Sequence, residues 1–513
     1  MDRRQSVHLV IHALFLLVTP FVHAAPEKDR VHHLPGLEGT LLSATYSGYV
    51  SVGDSDGRKM YEHYLFFESE GDPKKDPLIM WTNGGPGASS LIGSFTELGP
   101  YYLSATSLST EDYRKTGIPS LFYSPYRWTK LGSLIIRNLP PPVGFSYCDP
   151  IGPSGDGRSC GSWNDTKTAK HSRIFMENWM AAFPEYGSHD LFLVGESYAG
   201  VYVPMLAREI LQQTTHPGLR KQLKGIAVGD GCNCGVSTSG GGCIETGGPF
   251  FTVEFFHGHG QFSDKTYAEI QRTCSREELV NGVKSQDCRA ALSKMDAERG
   301  YSFEYNLYDE CYGTDLYGQL PWRSSSWAEI HQRTSWHMDG TPCGGIRALR
   351  KWVNTSAVKQ ALHVAKDAFF FSGDNGVGFT YNLTEPTLIP WYREMVQNQK
   401  LRVLIYNGDA DPGLNSFYAQ NWTTAVGIPE VQSWRPWTRD GKMKMGGYAT
   451  RYEHDFDFLT IRGAGHMVPE FKPEAAFVMM SSFLSGQDYP PYNPPKDKVR
   501  RQRTGSLKIP WVV

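Results

Sequence analysis

Short apolar runs, each about one strand long and bounded by Gly, Pro, Asn or Asp, recur along the chain. They fall at Tyr61–Glu68, Pro77–Trp81, Leu134–Arg137, Asp190–Val194, Gly225–Val228, Arg402–Tyr406 and Phe458–Ile461. Helix-like stretches follow several of them, notably Thr166–Ala182 and Tyr198–Gln212. Strands that alternate with helices require a sheet covered by helices on both faces, so an α/β fold with a mostly parallel central sheet is expected. With 513 residues, 40% hydrophobic and only 20% charged, the chain has the apolar content to bury such a core. Its 51 basic and 53 acidic residues nearly cancel. No bulk field is left to grip nucleic acid or an anionic membrane, and neither partner is expected.

The flanks and one interior segment depart from this alternation. Arg3 and Arg4 precede an apolar stretch from Leu9 to Val22, and Val22-His23-Ala24 places small residues at the cleavage positions, so residues 1–24 read as an export signal. The stretch is interrupted by His12 and Pro20 and is short for a bilayer span, and no later segment has the length, so no stable membrane insertion is expected. Residues 25–231 and 346–486 are assigned to the α/β core, and 487–513 to a Pro-rich basic tail carrying Arg500, Arg501 and Arg503. Between them lies 232–345, with two helical patches, little strand signal and seven of the nine cysteines: Cys232, Cys234, Cys243, Cys274, Cys288, Cys311 and Cys343. It reads as an inserted, disulfide-tied cap over an active site.

An exported chain oxidises its cysteines, and an odd number leaves at least one free or intermolecular. Cys148 and Cys160 bracket a Gly/Pro-rich loop that a bridge between them would close. His257 and His259 beyond the cap cysteines raise a zinc site, but the irregular spacing and the oxidising compartment favour disulfides, and no metal or cofactor is expected. Sequons at Asn164, Asn354, Asn382 and Asn421 are glycosylation candidates, which places those stretches at the surface. A homodimer is compatible with the sequence.

The chemistry is concentrated at three strand ends. Asp190–Val194 leads into Gly195-Glu-Ser-Tyr-Ala-Gly200 and then into a helical stretch. A serine on a sharp turn between strand and helix projects its hydroxyl, and small neighbours, here Gly195 and Ala199, keep that turn free of clashes. The next N–H, that of Tyr198, lies at the helix N-terminal end and can stabilise an oxyanion. A serine hydroxyl needs a base and an orienting acid, and in this fold they follow in the order Ser, Asp, His. Arg402–Tyr406 runs on to Asn407-Gly-Asp-Ala-Asp411, with two acids, and Phe458–Ile461 runs into a glycine-rich loop carrying His466. Both stand at strand C-terminal ends, where α/β sheets hold their chemistry. Ser197 as nucleophile, His466 as base and an acid near 409–411 are the expected triad.

The motifs Trp81-Thr-Asn-Gly-Gly-Pro-Gly87, Glu97-Leu-Gly-Pro100, Val143-Gly-Phe-Ser-Tyr147, Gly195-Glu-Ser-Tyr-Ala-Gly200, Gly408-Asp-Ala-Asp411 and Gly463-Ala-Gly-His-Met-Val-Pro469 together resemble the serine carboxypeptidase family over nearly the whole mature length. The resemblance implies an α/β-hydrolase fold and selects Asp411 over Asp409 as the triad acid. It implies an oxyanion hole from the backbone of Gly85 and Tyr198, and capture of a substrate carboxylate by Asn83, Gly84, Glu97 and Glu196. Two neighbouring glutamates cannot both ionise cheaply, so one should stay protonated at acid pH and donate to a peptide C-terminus, which implies an acidic optimum.

The chain departs from the family in several places. Pro86-Gly-Ala-Ser-Ser90 has alanine where a cysteine usually joins the residue that here is Cys343, leaving Cys343 to pair with Cys311 or stay a thiol. By family usage Cys274 with Cys288 is the preferred cap disulfide. Asn138 stands where an acid is usual and Asp230 where asparagine is usual. Both are expected to lie away from the triad and the carboxylate clamp. The expected function is release of a C-terminal residue from peptides, with acyl transfer to an alcohol or a non-catalytic protective role as alternatives, in the secretory route, extracellular or vacuolar/lysosomal.

Overall fold

The computed structural model describes residues 25–234, 248–309, 345–372 and 378–494. The export-signal reading, the tail beyond residue 494, and Cys243, Cys311 and Cys343 lie outside the described residues.

The strands, in chain order, begin with β1 (Arg30–Val31), β2 (Thr45–Ser55), β3 (Arg58–Phe67), β4 (Leu78–Thr82), β5 (Tyr101–Tyr102), β6 (Phe122–Tyr123), β7 (Ser133–Arg137) and β8 (Tyr147–Asp149). They continue with β9 (Ser162–Asn164), β10 (Leu191–Glu196), β11 (Leu223–Gly229), β12 (Thr380–Asn382), β13 (Arg402–Gly408), β14 (Glu430–Thr438), β15 (Met445–Tyr452) and β16 (Phe456–Ile461). One twelve-stranded sheet has the order β1-β2-β3-β7-β4-β10-β11-β13-β16-β15-β14, with β8 alongside β3. From β7 to β16 the pairs are parallel, and antiparallel strands extend both edges.

Side chains of a strand alternate between faces, so each central strand feeds two cores. Leu78 and Met80 of β4 enter one apolar cluster while Ile79 and Trp81 enter the other. Leu191 and Leu193 of β10 likewise oppose Phe192 and Val194. Burial on both sides is why these strands read as uninterrupted apolar runs. Helices Asp165–Ala182 and Ala199–Gln213 cover the first face, and Pro473–Ser485 covers the second. The structure therefore has the α/β-hydrolase fold, with a mixed sheet that is mostly parallel at its centre. The antiparallel strands β2, β14 and β15 were absent from the expected set because Ser, Gly or Pro interrupts their apolar pattern.

Between β11 and residue 309 the described residues hold helices Phe250–Gly258, Asp264–Thr273, Arg276–Asn281 and Gln286–Arg299. Their buried side chains, among them Val253, Phe256, Ile270 and Met295, form a third cluster that also takes in Ala410 of the β13 loop. A disulfide joins Cys274 to Cys288, another joins Cys148 to Cys160, and Cys232 is also disulfide-bonded. Of the sequon asparagines, Asn354, Asn382 and Asn421 are exposed, whereas Asn164 is half-buried and caps the helix Asp165–Ala182 by accepting the Lys167 N–H. No helix among the described residues is long and apolar enough to cross a membrane.

Candidate active site

Five loops leave the C-terminal ends of β4, β10, β11, β13 and β16 on one rim of the sheet. β10 ends at Glu196, and Ser197 turns the chain at φ +62°, a left-handed conformation that β-substituted residues rarely adopt. The strained turn is held on both sides: the Ser197 N–H donates to Gly229 O at 2.9 Å, and its carbonyl accepts from Gly200 N and Cys232 N. A side chain at position 200 would put its Cβ 2.0 Å from Cys232 O, so only glycine lets the following helix sit this close. The hydroxyl of Ser197 is left at the pocket wall.

Asp411 is fully buried after β13, and its Oδ1 accepts from the Gly413 and Leu414 N–H groups at 2.8 and 3.2 Å. Its Oδ2 lies 2.7 Å from His466 Nδ1. A carboxylate accepts, so Nδ1 carries the proton and Nε2 keeps the lone pair with which an imidazole can take a proton from a hydroxyl. His466 is held in place by its own N–H, which donates to Tyr305 O at 2.8 Å, and by the Tyr305 ring packed edge-on at 5.3 Å. Ser197 and His466 line the same pocket. Asp409, the other acid of that turn, faces away and accepts from the Gly463 N–H.

The β4 loop forms the opposite wall. A Cβ on Gly84 would lie 2.3 Å from Tyr198 N, so this glycine lets the two backbones approach. Among the described residues neither the Gly85 nor the Tyr198 N–H is taken up by a protein acceptor. Asn83 has a fixed amide orientation: Oδ1 accepts from Trp81 Nε1 at 2.9 Å and from Gly93 N at 3.1 Å, which turns Nδ2 toward Glu196 Oε1 at 2.7 Å and Glu97 Oε1 at 3.3 Å. The two buried carboxyl groups share this one amide, and two such groups side by side do not both ionise cheaply, so the pair retains a proton. Burial, together with the negative charge of Glu470 nearby, pushes Glu97 above the ordinary carboxylate range. Burial and the charge of Glu97 push Glu196 well above it. Asn83, Gly84, Gly85 and Glu196 line the pocket with Ser197 and His466, while Ala88, Ile92, Ile346, Tyr305 and Met467 supply its less polar surface. Glu97 stands behind, in contact through Asn83 and Glu196.

Three residues at the site were missed in the sequence. Tyr305 and Glu470 carry no motif, and only proximity reveals them. Asp230 was expected to lie away from the triad, and the structure corrects this: its carboxyl comes within 4.8 Å of Asp411, because β11 runs beside β13 and ends at the same rim. Asn138 does stay apart, bonded to His63 and Ser89. Asp230, Asp411 and His466 have ligand atoms within 4.8 Å of one another. With Nδ1 donating to Asp411, the cluster presents a hydrogen-bonded array and not a set of free lone pairs for a metal.

Comparison with known proteins agrees with this geometry. The serine carboxypeptidase family model matches residues 35–486. Serine carboxypeptidase 1 of Hordeum vulgare is 31% identical, covering 90% of this chain and 94% of its own length. The lysosomal protective protein of Mus musculus is 30% identical, covering 91% and 95%. The crystal structure of Kex1(Δ)p, a prohormone-processing carboxypeptidase of Saccharomyces cerevisiae, superposes with a TM-score of 0.65 over 90% of this chain and 96% of its own at 19% identity, a likeness of fold. The chain belongs to the serine carboxypeptidase family. It is accordingly a hydrolase of the exopeptidase class, built on the α/β-hydrolase fold.

Proposed function

We propose that this protein releases single residues from peptide C-termini through an acyl-enzyme on Ser197, with His466 as the base and Asp411 as its orienting acid. The observation that carries this reading is the 2.7 Å bond from His466 Nδ1 to Asp411, which leaves Nε2 for the pocket that Ser197 shares. His466 takes the Ser197 proton as Oγ attacks the scissile carbonyl. The N–H groups of Gly85 and Tyr198 receive the developing oxyanion. His466 then hands the proton to the departing amine, and water attacks the acyl-enzyme by the same route.

Asn83, Gly84 and Glu196, backed by Glu97, bind the substrate carboxylate. A protonated glutamate can donate to that carboxylate, whereas an ionised one repels it, so binding favours acid pH. The same clamp favours peptides over alcohol acceptors, because an ester or sugar offers no terminal carboxylate. The Cys148–Cys160 and Cys274–Cys288 disulfides and the exposed sequon asparagines Asn354, Asn382 and Asn421 support passage through the secretory route, to the exterior or to a vacuole or lysosome.

The test compares a blocked dipeptide with an activated sugar ester, alongside labelling by a fluorophosphonate. Peptide hydrolysis that vanishes in Ser197→Ala, together with labelling of Ser197, is the expected result. Turnover of the ester alone would replace the peptidase reading with acyl transfer. A folded protein that neither labels nor turns over either compound would leave only a non-catalytic role.

A further inference from the structure

Asp230 follows the last residue of β11 at φ +41° and is fully buried. Its N–H donates to Tyr406 O at 2.8 Å, which ties the turn to β13. Its carboxyl oxygens accept the Gly408 N–H at 3.0 and 3.1 Å, and Oδ1 also accepts Asn407 Nδ2 at 3.3 Å. The titratable groups facing it are Asp411 and Tyr406 from β13 and its loop, Glu196 from β10, and His466 from the loop after β16. Carboxyl oxygens of Asp230 and Asp411 lie within 4.8 Å of each other, and both residues are fully buried. Two carboxyl groups this close and away from water do not both ionise cheaply, so the pair retains one proton.

The surrounding donors say which oxygen carries it. Asp411 accepts three N–H groups, from Gly413, Leu414 and His466, each of which favours a charged acceptor. Asp230 accepts one shared backbone N–H and one longer amide contact. The proton therefore sits on Asp230, in keeping with burial and the Asp411 charge, which both push Asp230 well above the ordinary carboxylate range.

We propose that Asp230 is a positioning residue of the triad: its carboxyl O–H donates to Asp411 and holds that carboxylate in the orientation that accepts Nδ1–H of His466. It acts through Asp411 and touches no reacting atom. The two oxygens of the neutral acid share the Gly408 N–H, and the hydroxyl proton is directed to Asp411, so both halves of the carboxyl are used. When rising pH removes the proton, the donor disappears and a second negative charge is left beside the acid and the imidazole. The two like charges then repel, and Asp411 is no longer held in the orientation that accepts Nδ1–H of His466. The triad thus loses the orientation of its base on the alkaline side for a reason separate from the glutamate clamp.

This inference rests on the triad proposed above and is tested without relying on the clamp. The rate of Ser197 labelling by a fluorophosphonate, which has no C-terminal carboxylate, is measured against pH for wild type, Asp230→Asn and Asp230→Ala, with kcat and KM for a blocked dipeptide alongside. Asparagine keeps a neutral donor at every pH. Its labelling rate on the acid side should stay within about threefold of wild type, and the alkaline fall of labelling and of kcat should be lost. Alanine removes the donor, and labelling and kcat should drop about tenfold or more with KM nearly unchanged.

An alkaline fall in Asp230→Asn that coincides with the wild-type curve would overturn the proposal, as would wild-type rates in Asp230→Ala. Should Asp230→Ala fail to fold, the isosteric asparagine variant decides alone. Wild type that labels but cleaves no peptide would sink the substrate reading and leave the Asp230 comparison intact. Wild type that does not label would overturn the triad and this inference together.

Discussion

Asn83 illustrates how single residues set the chemistry here. Two donors occupy its Oδ1, so its Nδ2 must face the glutamate pair, and the pair in turn must keep a proton because both members are buried. The proposed clamp is therefore a donor array below the raised range of these acids and an acceptor array above it. Glu196→Gln keeps a neutral donor at every pH, so its KM for a blocked dipeptide should rise less than wild type's between about pH 5 and about pH 8. Parallel curves for the two proteins would mean that the glutamate proton is not what the peptide carboxylate meets. Ser197, His466 and the choice of strand-end acids were legible in the sequence because each sits beside a glycine-marked turn. Asp230 was readable only as an unusual acid, since nothing in the chain order says that residues 230 and 411 meet.

At the level of elements, the catalytic rim depends on how strands and helices are tied behind it. Glu62 of β3 and Arg137 of β7 form a bidentate pair at 2.7 and 2.9 Å, each 1% exposed, and Arg137 also donates to Ser172 on the helix Asp165–Ala182. Its guanidinium stacks over Phe175 at 4.4 Å. The pair fastens two strands and one helix at once. Glu62→Ala would leave a buried guanidinium without its carboxylate, and should lower unfolding stability by about 3–5 kcal/mol in denaturant titration. A loss below about 1 kcal/mol would show that water or a rearranged neighbour takes over the charge. Parallel strands were legible from their apolar runs. The edge strands β2, β14 and β15 were not, because half-exposed strands carry Ser, Gly and Pro that a local pattern reads as turn.

For the whole molecule, pH acts on stability from both sides. His63 is fully buried, with Nδ1 accepting from Asn138 Nδ2 and Nε2 donating to Ser47 Oγ, so both nitrogens are committed to the neutral form. Burial pushes its pKa down to about 3. The unfolded chain takes up this proton as pH falls below about 6.5 and the folded chain does not, so stability is full above that range and declines below it by about 1.4 kcal/mol per pH unit. Glu97, Glu196 and Asp230 act with the opposite sign. Their raised folded values contribute stability that is complete below the ordinary carboxylate range and lost as pH rises through the raised range. His63→Gln should melt with a shallower acid-side slope than wild type while keeping the alkaline decline, and equal acid-side slopes in thermal melts would remove His63 as the cause. The sequence by itself determined the alternating architecture and set Ser197, the acids Asp409 and Asp411, and His466 at strand ends, since apolar periodicity and glycine-bounded turns are local properties of the chain, whereas the choice of Asp411 came from the family resemblance. Which carboxyl groups are buried together, which way the Asn83 amide turns, and that Asp230 stands beside Asp411 were decided only when the parallel strands packed side by side, because burial and proximity of charges are properties of space and not of order along the chain.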